Sequence, residues 1–147
     1  MADVAEQGPV LVAEDSNLLA ALLRDAFQAH GVAGEVKVYK DGHSFLAAYA
    51  EFAARQKPVR LLVVDIHMPG LNGLEAGREI RTMERNAKQD PTPMIFFSSS
   101  ELSPEIESAV ADCFPARFVR KEEDQGPATV AIVGARMIRG ILDDAGQ

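Results

Sequence analysis

Apolar residues occur in five short runs along the chain, and each run is followed by a longer segment in which apolar residues recur every three or four positions. Short runs rich in Val, Ile and Phe and bounded by turn residues predict β-strands. Three runs are apolar on both faces, which is typical of buried parallel strands, whereas charges in the other two favour strands nearer a sheet edge. The predicted strands span residues 9–13, 35–39, 61–64, 94–97 and 116–121.

The segments between the strands have the spacing of amphipathic helices. Asp15 or Ser16 can cap the first of them, which ends at His30. Ser103 caps the fourth, which ends near Pro115. The remaining helices are predicted at residues 44–55, 74–88 and 129–144.

The third helix carries many charged residues beside its apolar stripe. We assign these charges, Arg81 and Glu84 among them, to a face exposed to solvent. Glu84 and Lys88 stand four positions apart in the order that stabilises a helix, so an ion pair is predicted between them.

Strict alternation of strands and helices predicts right-handed crossovers and therefore one parallel sheet with helices on both faces. The predicted fold class is α/β, a three-layer, doubly wound (βα)5 arrangement of five parallel strands. The 147 residues amount to about one domain, and no segment is left over for a second core. We therefore predict a loose tail at residues 1–8 and one domain at residues 9–145.

Charge and cysteine content narrow the classes of partner and site. The net charge of -7 argues against nucleic acid or an anionic membrane as a direct partner, because both require a basic surface. The one cysteine, Cys113, rules out an intramolecular disulfide and a cysteine metal cluster, and is expected to be a small buried residue. With no signal-peptide pattern and no membrane-length apolar run, the cytoplasm is the expected location.

Polar residues follow directly on several predicted strands. Glu14 and Asp15 follow the first strand, Asp65 the third and Ser98 the fourth, and Lys121 ends the fifth. The carboxyl ends of parallel strands lie on one rim of the sheet, where binding sites form. Clustered carboxylates repel one another, and a hard cation such as Mg²⁺, which prefers oxygen ligands, relieves that repulsion. Together with an ammonium and a hydroxyl group, this set predicts a site that binds a phosphoryl group around a candidate nucleophile, Asp65.

The ordered set of motifs resembles the receiver domain of two-component response regulators. The resemblance covers about residues 9–145 and implies a flavodoxin-like receiver topology. The residues that carry it are Glu14, Asp15, the run Asp65-Ile66-His67-Met68-Pro69-Gly70-Leu71-Asn72-Gly73, Ser98, Ser99 and Lys121.

The resemblance implies a role for each site residue. Asp65 would accept a phosphoryl group from a phosphohistidine on a partner kinase or phosphotransfer protein. Lys121 would pair with the phosphoryl oxygens, Ser98 would hydrogen-bond the phosphoryl group as the switch hydroxyl, and Phe118 would be the switch aromatic. The implied cofactor is Mg²⁺, and its implied ligands are Asp15, Asp65, the backbone carbonyl of His67 and, through water, Glu14.

Each of these residues also has a purely structural interpretation. Glu14 and Asp15 would then cap the first helix, and Ser98 would be a polar loop residue. Lys121 would be an ordinary charge on an edge strand. Phe118 would be part of the core. Their joint occurrence at the strand ends favours the site.

The chain departs from the family pattern in three places. Glu122 stands where the family has a proline after the lysine, and we predict a trans Lys121–Glu122 peptide because a cis bond before a non-proline residue costs about 3–4 kcal/mol. Ser99 occupies a place usually held by alanine or another small residue. His67 lies two residues after the nucleophile, where its side chain could overhang the site and alter the lifetime of the acyl phosphate.

The expected function is that of a stand-alone receiver, a switch that binds proteins under the control of phosphorylation rather than an enzyme that turns over free substrates. Its expected output surface is the face formed by the fourth helix, fifth strand and fifth helix, and its expected state is a monomer or weak homodimer. The alternatives are a degenerate receiver that acts as a scaffold and, less favoured, a small phosphatase that works through an aspartyl phosphate.

Overall fold

Five parallel strands form one sheet in the computed structural model of the protein, which describes residues 8–145. The strand order across the sheet is β2-β1-β3-β4-β5, with β2 and β5 at the edges as predicted. The predicted domain, residues 9–145, therefore lies within the described residues, whereas residues 1–7 of the predicted tail lie outside them. The strands are β1 (Val10–Ala13), β2 (Val36–Tyr39), β3 (Leu61–Val64), β4 (Met94–Ser98) and β5 (Ala116–Arg120).

A helix follows each strand, so the predicted alternation is confirmed. Ser16 and Ser103 cap the first and fourth helices through their side-chain oxygens, and Pro104 is the first residue of the fourth. A short 3-10 helix, Glu123–Gln125, precedes the last helix. The α-helices are α1 (Asn17–Ala29), α2 (Gly42–Ala54), α3 (Gly73–Asn86), α4 (Pro104–Asp112) and α5 (Pro127–Ala145).

The sheet divides the apolar core into two layers. On one face, Val12, Val63 and Phe97 pack with apolar residues of α1 and α5. On the other face, Val64 and Phe96 pack with apolar residues of α2, α3 and α4. All side chains of β1, β3 and β4 are buried, as expected for central parallel strands covered by helices on both sides. None of the helices between residues 8 and 145 has the length and apolar character that crossing a bilayer requires.

The prediction of a solvated face on α3 was wrong for Arg81 and Glu84, which are 4% and 2% exposed. Both lie in the buried stripe of α3 together with Gly77 and Ile80, at helical spacing. Gly77 lets this stripe approach the sheet closely, because a Cβ there would stand 2.8 Å from the Phe96 ring. The distribution of charged residues along α3 gave the wrong prediction, because a charged residue can occupy the buried stripe of a helix when all its hydrogen bonds are made within the protein.

The buried pair belongs to a network that ties α3 to its neighbours. Glu84 accepts hydrogen bonds from the Arg81 guanidinium at 2.7 Å, the Tyr49 hydroxyl at 2.6 Å and the Thr92 backbone N–H at 2.8 Å. Arg81 also donates to the backbone carbonyls of Cys113 and Pro115. Burial raises the pKa of the Tyr49 phenol, and its hydrogen bond to Glu84 raises that pKa further. The network therefore joins α2, α3 and the segments that lead into β4 and β5.

The predicted Glu84–Lys88 ion pair does not fit this arrangement. Lys88 lies beyond the end of α3, with a positive φ of 54°. The Glu84 carboxylate points inward to the donors of the network instead. Cys113 is fully buried, as predicted.

Replacing Glu84 with alanine is expected to lower the free energy of unfolding by about 3 kcal/mol or more, because the Arg81 guanidinium would remain buried without its carboxylate. The matched control is Glu79→Ala, which removes an exposed carboxylate of the same helix and should change stability by no more than about 0.5 kcal/mol. Urea unfolding followed by circular dichroism measures both. Equal stability of the two variants would contradict a buried network.

Candidate functional site

Two adjacent strands deliver three carboxylates to one end of the sheet. The parallel register of β1 and β3 pairs Ala13 with Val64, so Glu14 and Asp65 are the next residues on each strand. The Asp65 backbone N–H donates to the Ala13 carbonyl at 3.0 Å, which continues the ladder by one step. Asp15 follows Glu14 just before α1. One carboxylate oxygen from each of Glu14, Asp15 and Asp65 lies within 4.8 Å of the others.

The turn after β3 fixes the position of Asp65. Gly73 packs so tightly against this strand end that a Cβ would lie 2.1 Å from the Asp65 carbonyl oxygen, so only glycine fits there. Gly73 donates its N–H to the Ile66 carbonyl at 2.9 Å. Asn72 and Glu75 close the start of α3 with reciprocal side-chain-to-backbone hydrogen bonds, a capping box. The Gly- and Asn-rich sequence of this turn thus brings α3 against the strand end that carries Asp65.

Lys121 reaches the same place from the end of β5. Its buried ammonium donates to Glu14 Oε1 at 2.7 Å and to Asp65 Oδ2 at 3.1 Å. The ammonium also lies 5.5 Å from the centroid of the Phe97 ring. The Lys121 backbone N–H donates to the Ser98 carbonyl at 2.8 Å, which ties the lysine to the end of β4. The structure therefore brings together Glu14, Asp15, Asp65 and Lys121, as the sequence predicted.

The interpretation of the acidic pair as helix caps does not hold for Asp15. Ser16 is the N-cap of α1, and its hydroxyl oxygen accepts the Leu19 N–H at 3.2 Å. Glu14 does accept the Ser16 N–H at 3.1 Å through Oε2, while its Oε1 accepts from Lys121. The exposed Asp15 carboxylate lies beside the two buried ones and is available to an ion from solvent.

The pKa values of Glu14 and Lys121 are both raised. The shift disfavours the charged form of the Glu14 carboxyl and favours the charged form of the Lys121 ammonium. Burial raises the pKa of the Glu14 carboxyl, and the attraction and hydrogen bond of Lys121 reduce that rise without cancelling it. Burial by itself would lower the pKa of the Lys121 ammonium, but the negative charges of Asp65 and Glu14 outweigh this effect and raise it. Lys121 is therefore a fixed positive charge at neutral pH.

A cavity of about 370 Å³ opens beside these groups to solvent. Oxygen donors on three carboxylates suit a hard divalent cation such as Mg²⁺, so the residues present fit the ion that the sequence analysis predicted. The acidic run after Lys121 contributes Glu123 to the cavity wall, a residue that sequence reasoning noted only as nearby negative charge. The cavity is lined by Glu14, Asp15, Ser16, Leu19, Asp65, Ser99, Lys121, Glu123, Pro127 and Val130.

The switch candidates Ser98 and Phe118 are not among the residues that line this cavity. Ser98 is fully buried on the face of β4 that carries Met94 and Phe96, and its hydroxyl donates to Ser100 Oγ at 3.3 Å. Phe118 is half-buried and packs against the core layer under α2, α3 and α4. This position is compatible with a core role and with a switch role.

Two departures from the family pattern have defined geometry. The one cis peptide bond between residues 8 and 145 joins Phe114 to Pro115, so the predicted trans Lys121–Glu122 bond is confirmed. The His67 backbone N–H donates to Asp65 Oδ1 at 3.3 Å, and its exposed ring hydrogen-bonds the Ser100 hydroxyl through Nε2. Sequence reasoning missed Ser100, because nothing in a run of three serines indicates which hydroxyl meets His67.

Comparisons with known proteins agree with this geometry. A family model described as the response regulator receiver domain matches residues 10–132. The transcriptional regulatory protein RprY of Bacteroides fragilis is 30% identical over 106 residues, which are 72% of this chain and 40% of that protein. The chain thus corresponds to less than half the length of this relative.

Solved structures share the fold. The receiver domain of the histidine kinase CKI1 from Arabidopsis thaliana, complexed with Mg²⁺, is 24% identical with a TM-score of 0.74, covering 95% of this chain and 95% of that one. The response regulator domain of CheB from Thermotoga maritima is 28% identical with a TM-score of 0.61, covering 90% of this chain and 93% of that one. With the family match over most of its length, the chain belongs to the receiver-domain family of two-component response regulators.

Proposed function

We propose that Asp65 accepts a phosphoryl group from a phosphohistidine on a sensor kinase or phosphotransfer protein, and that the modified chain then binds a target protein. The observation that carries this proposal is the buried Lys121 ammonium, which lies in the cavity wall within hydrogen-bonding distance of Asp65 and Glu14. A nucleophilic carboxylate beside a fixed positive charge suits phosphoryl transfer, which depends mainly on positioning and charge neutralisation. The cytoplasm is the expected location.

In the proposed step, an Asp65 carboxylate oxygen forms a bond to phosphorus while the bond from phosphorus to the donor histidine nitrogen breaks. The electron pair of that bond stays on the donor imidazole. Lys121 offers its ammonium to the new phosphoryl oxygens, which replace the Asp65 carboxylate oxygen as hydrogen-bond acceptors. The His67 N–H that meets Asp65 Oδ1 helps to orient the carboxylate before attack.

Asp15, Asp65 and the His67 backbone carbonyl would hold Mg²⁺, with Glu14 contributing through water. When bound, Mg²⁺ neutralises negative charge on the phosphoryl oxygens. The two oxygens of Glu14 already accept from Lys121 and from the Ser16 N–H, which supports an indirect role for this carboxylate. Asp15 is exposed and close to Asp65, which supports a direct one.

The proposed output is a change in the surface formed by α4, β5 and α5, coupled to the phosphoryl group through Ser98 and Phe118. Exposed acidic side chains on and before α4, such as Glu101 and Glu105, share this surface with the exposed Arg117 and Arg120 of the edge strand. Arg120 lies 3.9 Å from Glu101. A mixed-charge surface of this kind suits a protein partner. We propose that the free chain is a monomer or a weak homodimer.

The scaffold alternative depended on Glu122, the residue that replaces proline. Lys121 reaches Asp65 and Glu14 with Glu122 in place, so this departure gives no reason to expect an inert site. The phosphatase alternative lacks the second aspartate after the nucleophile, and His67 at that position bonds Ser100. We therefore propose that the chain turns over no free phosphate ester.

Acetyl phosphate with Mg²⁺ is expected to add one phosphoryl group to the wild-type chain and none to Asp65→Asn, as measured by intact-protein mass spectrometry. The matched control is Asp25→Asn, which changes an exposed aspartate of α1 and should leave phosphorylation intact. An unmodified wild-type chain would support the scaffold alternative. Multiple turnover of p-nitrophenyl phosphate would support the phosphatase.

Affinity for Mg²⁺ is expected to fall as the pH is lowered from neutral into the acidic range, because burial raises the pKa of Glu14 and this carboxyl therefore takes up a proton at a higher pH than an exposed glutamate would. Protonation removes one negative charge from the site, so binding is tightest at the higher pH. Isothermal titration calorimetry measures the affinity, and Glu14→Gln should show a weaker dependence on pH. The same dependence in both chains would contradict this role of Glu14.

A further inference from the structure

A chain of hydrogen bonds links the loop after β3 to the loop after β4. His67 Nε2 meets the Ser100 hydroxyl, and the Ser98 hydroxyl donates to Ser100 Oγ at 3.3 Å. The Ser100 backbone N–H lies 3.4 Å from Ser98 Oγ and donates to it. His67 is thereby connected to the buried switch hydroxyl through one intermediate residue.

These contacts use the single donor of the Ser98 hydroxyl and one of its acceptor positions. Its hydroxyl is fully buried, and a buried hydroxyl without partners would be costly. Ser100 supplies both an acceptor for the Ser98 proton and a backbone donor to its oxygen. Ser98 therefore cannot donate to a phosphoryl group on Asp65 until it gives up its bond to Ser100 Oγ.

His67 completes the arrangement at the other end. When Ser100 Oγ accepts the proton of Ser98, its own proton is available to His67 Nε2, so the three groups form a consistent donor–acceptor series. His67 is also anchored to the nucleophile, because its backbone N–H donates to Asp65 Oδ1. The Ser100 hydroxyl thus lies between His67, in the segment that carries Asp65, and Ser98, the residue that must change its hydrogen bond for switching.

We propose that His67 and Ser100 are positioning residues that hold the Ser98 hydroxyl away from Asp65 in the unphosphorylated chain and so oppose switching. This inference rests on the proposed function, because it concerns the response of Ser98 to a phosphoryl group. Loss of either residue releases Ser98 and favours the phosphorylated-like state. The effect of one such hydrogen bond corresponds to about fivefold in an equilibrium constant.

Beryllofluoride, a stable mimic of the phosphoryl group, tests this proposal when its binding is titrated in the presence of Mg²⁺ by calorimetry. Ser100→Ala and His67→Ala should each tighten beryllofluoride binding about fivefold, and the double variant should gain no more than either alone. In a Ser98→Ala background both substitutions should have no effect. Ser100→Thr retains the hydroxyl and should restore wild-type affinity, and Ser108→Ala, an exposed serine of α4, is the control.

The free chain provides a second readout. Ser100→Ala should shift the His67 ring nitrogens in ¹H–¹⁵N correlation spectra without Mg²⁺ or beryllofluoride, whereas Ser108→Ala should not. Unchanged ring signals, unchanged or weaker binding, or additive effects of the two substitutions would each overturn the inference while leaving the proposed function standing. Failure of the wild-type chain to bind beryllofluoride would overturn both.

Discussion

The site depends on one buried cation, the Lys121 ammonium, which bonds both Glu14 and Asp65. Two carboxylates this close and this well buried would repel each other, and burial alone disfavours their charged forms. The positive charge of the ammonium offsets the repulsion between the two carboxylates. Their combined negative charge in turn raises the pKa of the ammonium and keeps it protonated. The arrangement is a charged pocket with fixed positions for its polar groups, which suits phosphoryl transfer because that reaction depends on positioning and charge neutralisation.

The parallel sheet is the reason that these groups meet. Strand ends separated by as many as 107 residues in sequence become neighbours because all five strands point the same way and β1, β3, β4 and β5 lie side by side. The alternation of apolar runs and helical spacing was sufficient to predict a parallel sheet with all strand ends on one rim. The order of the strands followed only from the resemblance to receiver domains. The turn after β3 then refines it, because Gly73 permits an approach to the Asp65 carbonyl that no side chain would allow.

The features that could not be predicted are polar side chains that point into the protein, although such side chains are usually exposed to solvent. Glu84 accepts hydrogen bonds from Tyr49 and Thr92, which lie outside α3. Arg81 donates to the backbone carbonyls of Cys113 and Pro115, more than 30 residues further along the chain. The sequence of α3 alone carries no sign of those partners. The position of Ser98 at a strand end was enough to identify it as a site residue. The direction in which its hydroxyl points depends on hydrogen bonds to Ser100, which the sequence did not predict. Tertiary contacts, rather than local spacing, decide such cases.

The mutual dependence of Lys121 and the carboxylates is tested most directly by thermal unfolding of Lys121→Met at about pH 7 with and without Mg²⁺. Without Mg²⁺ the variant should unfold at a lower temperature than the wild-type chain, because two buried carboxylates lose their counter-charge. Mg²⁺ should then raise the Tm of the variant by more than it raises the Tm of the wild-type chain, since the ion supplies positive charge that the variant has lost. An equal Tm without Mg²⁺ and an equal rise with it would contradict a site organised around Lys121.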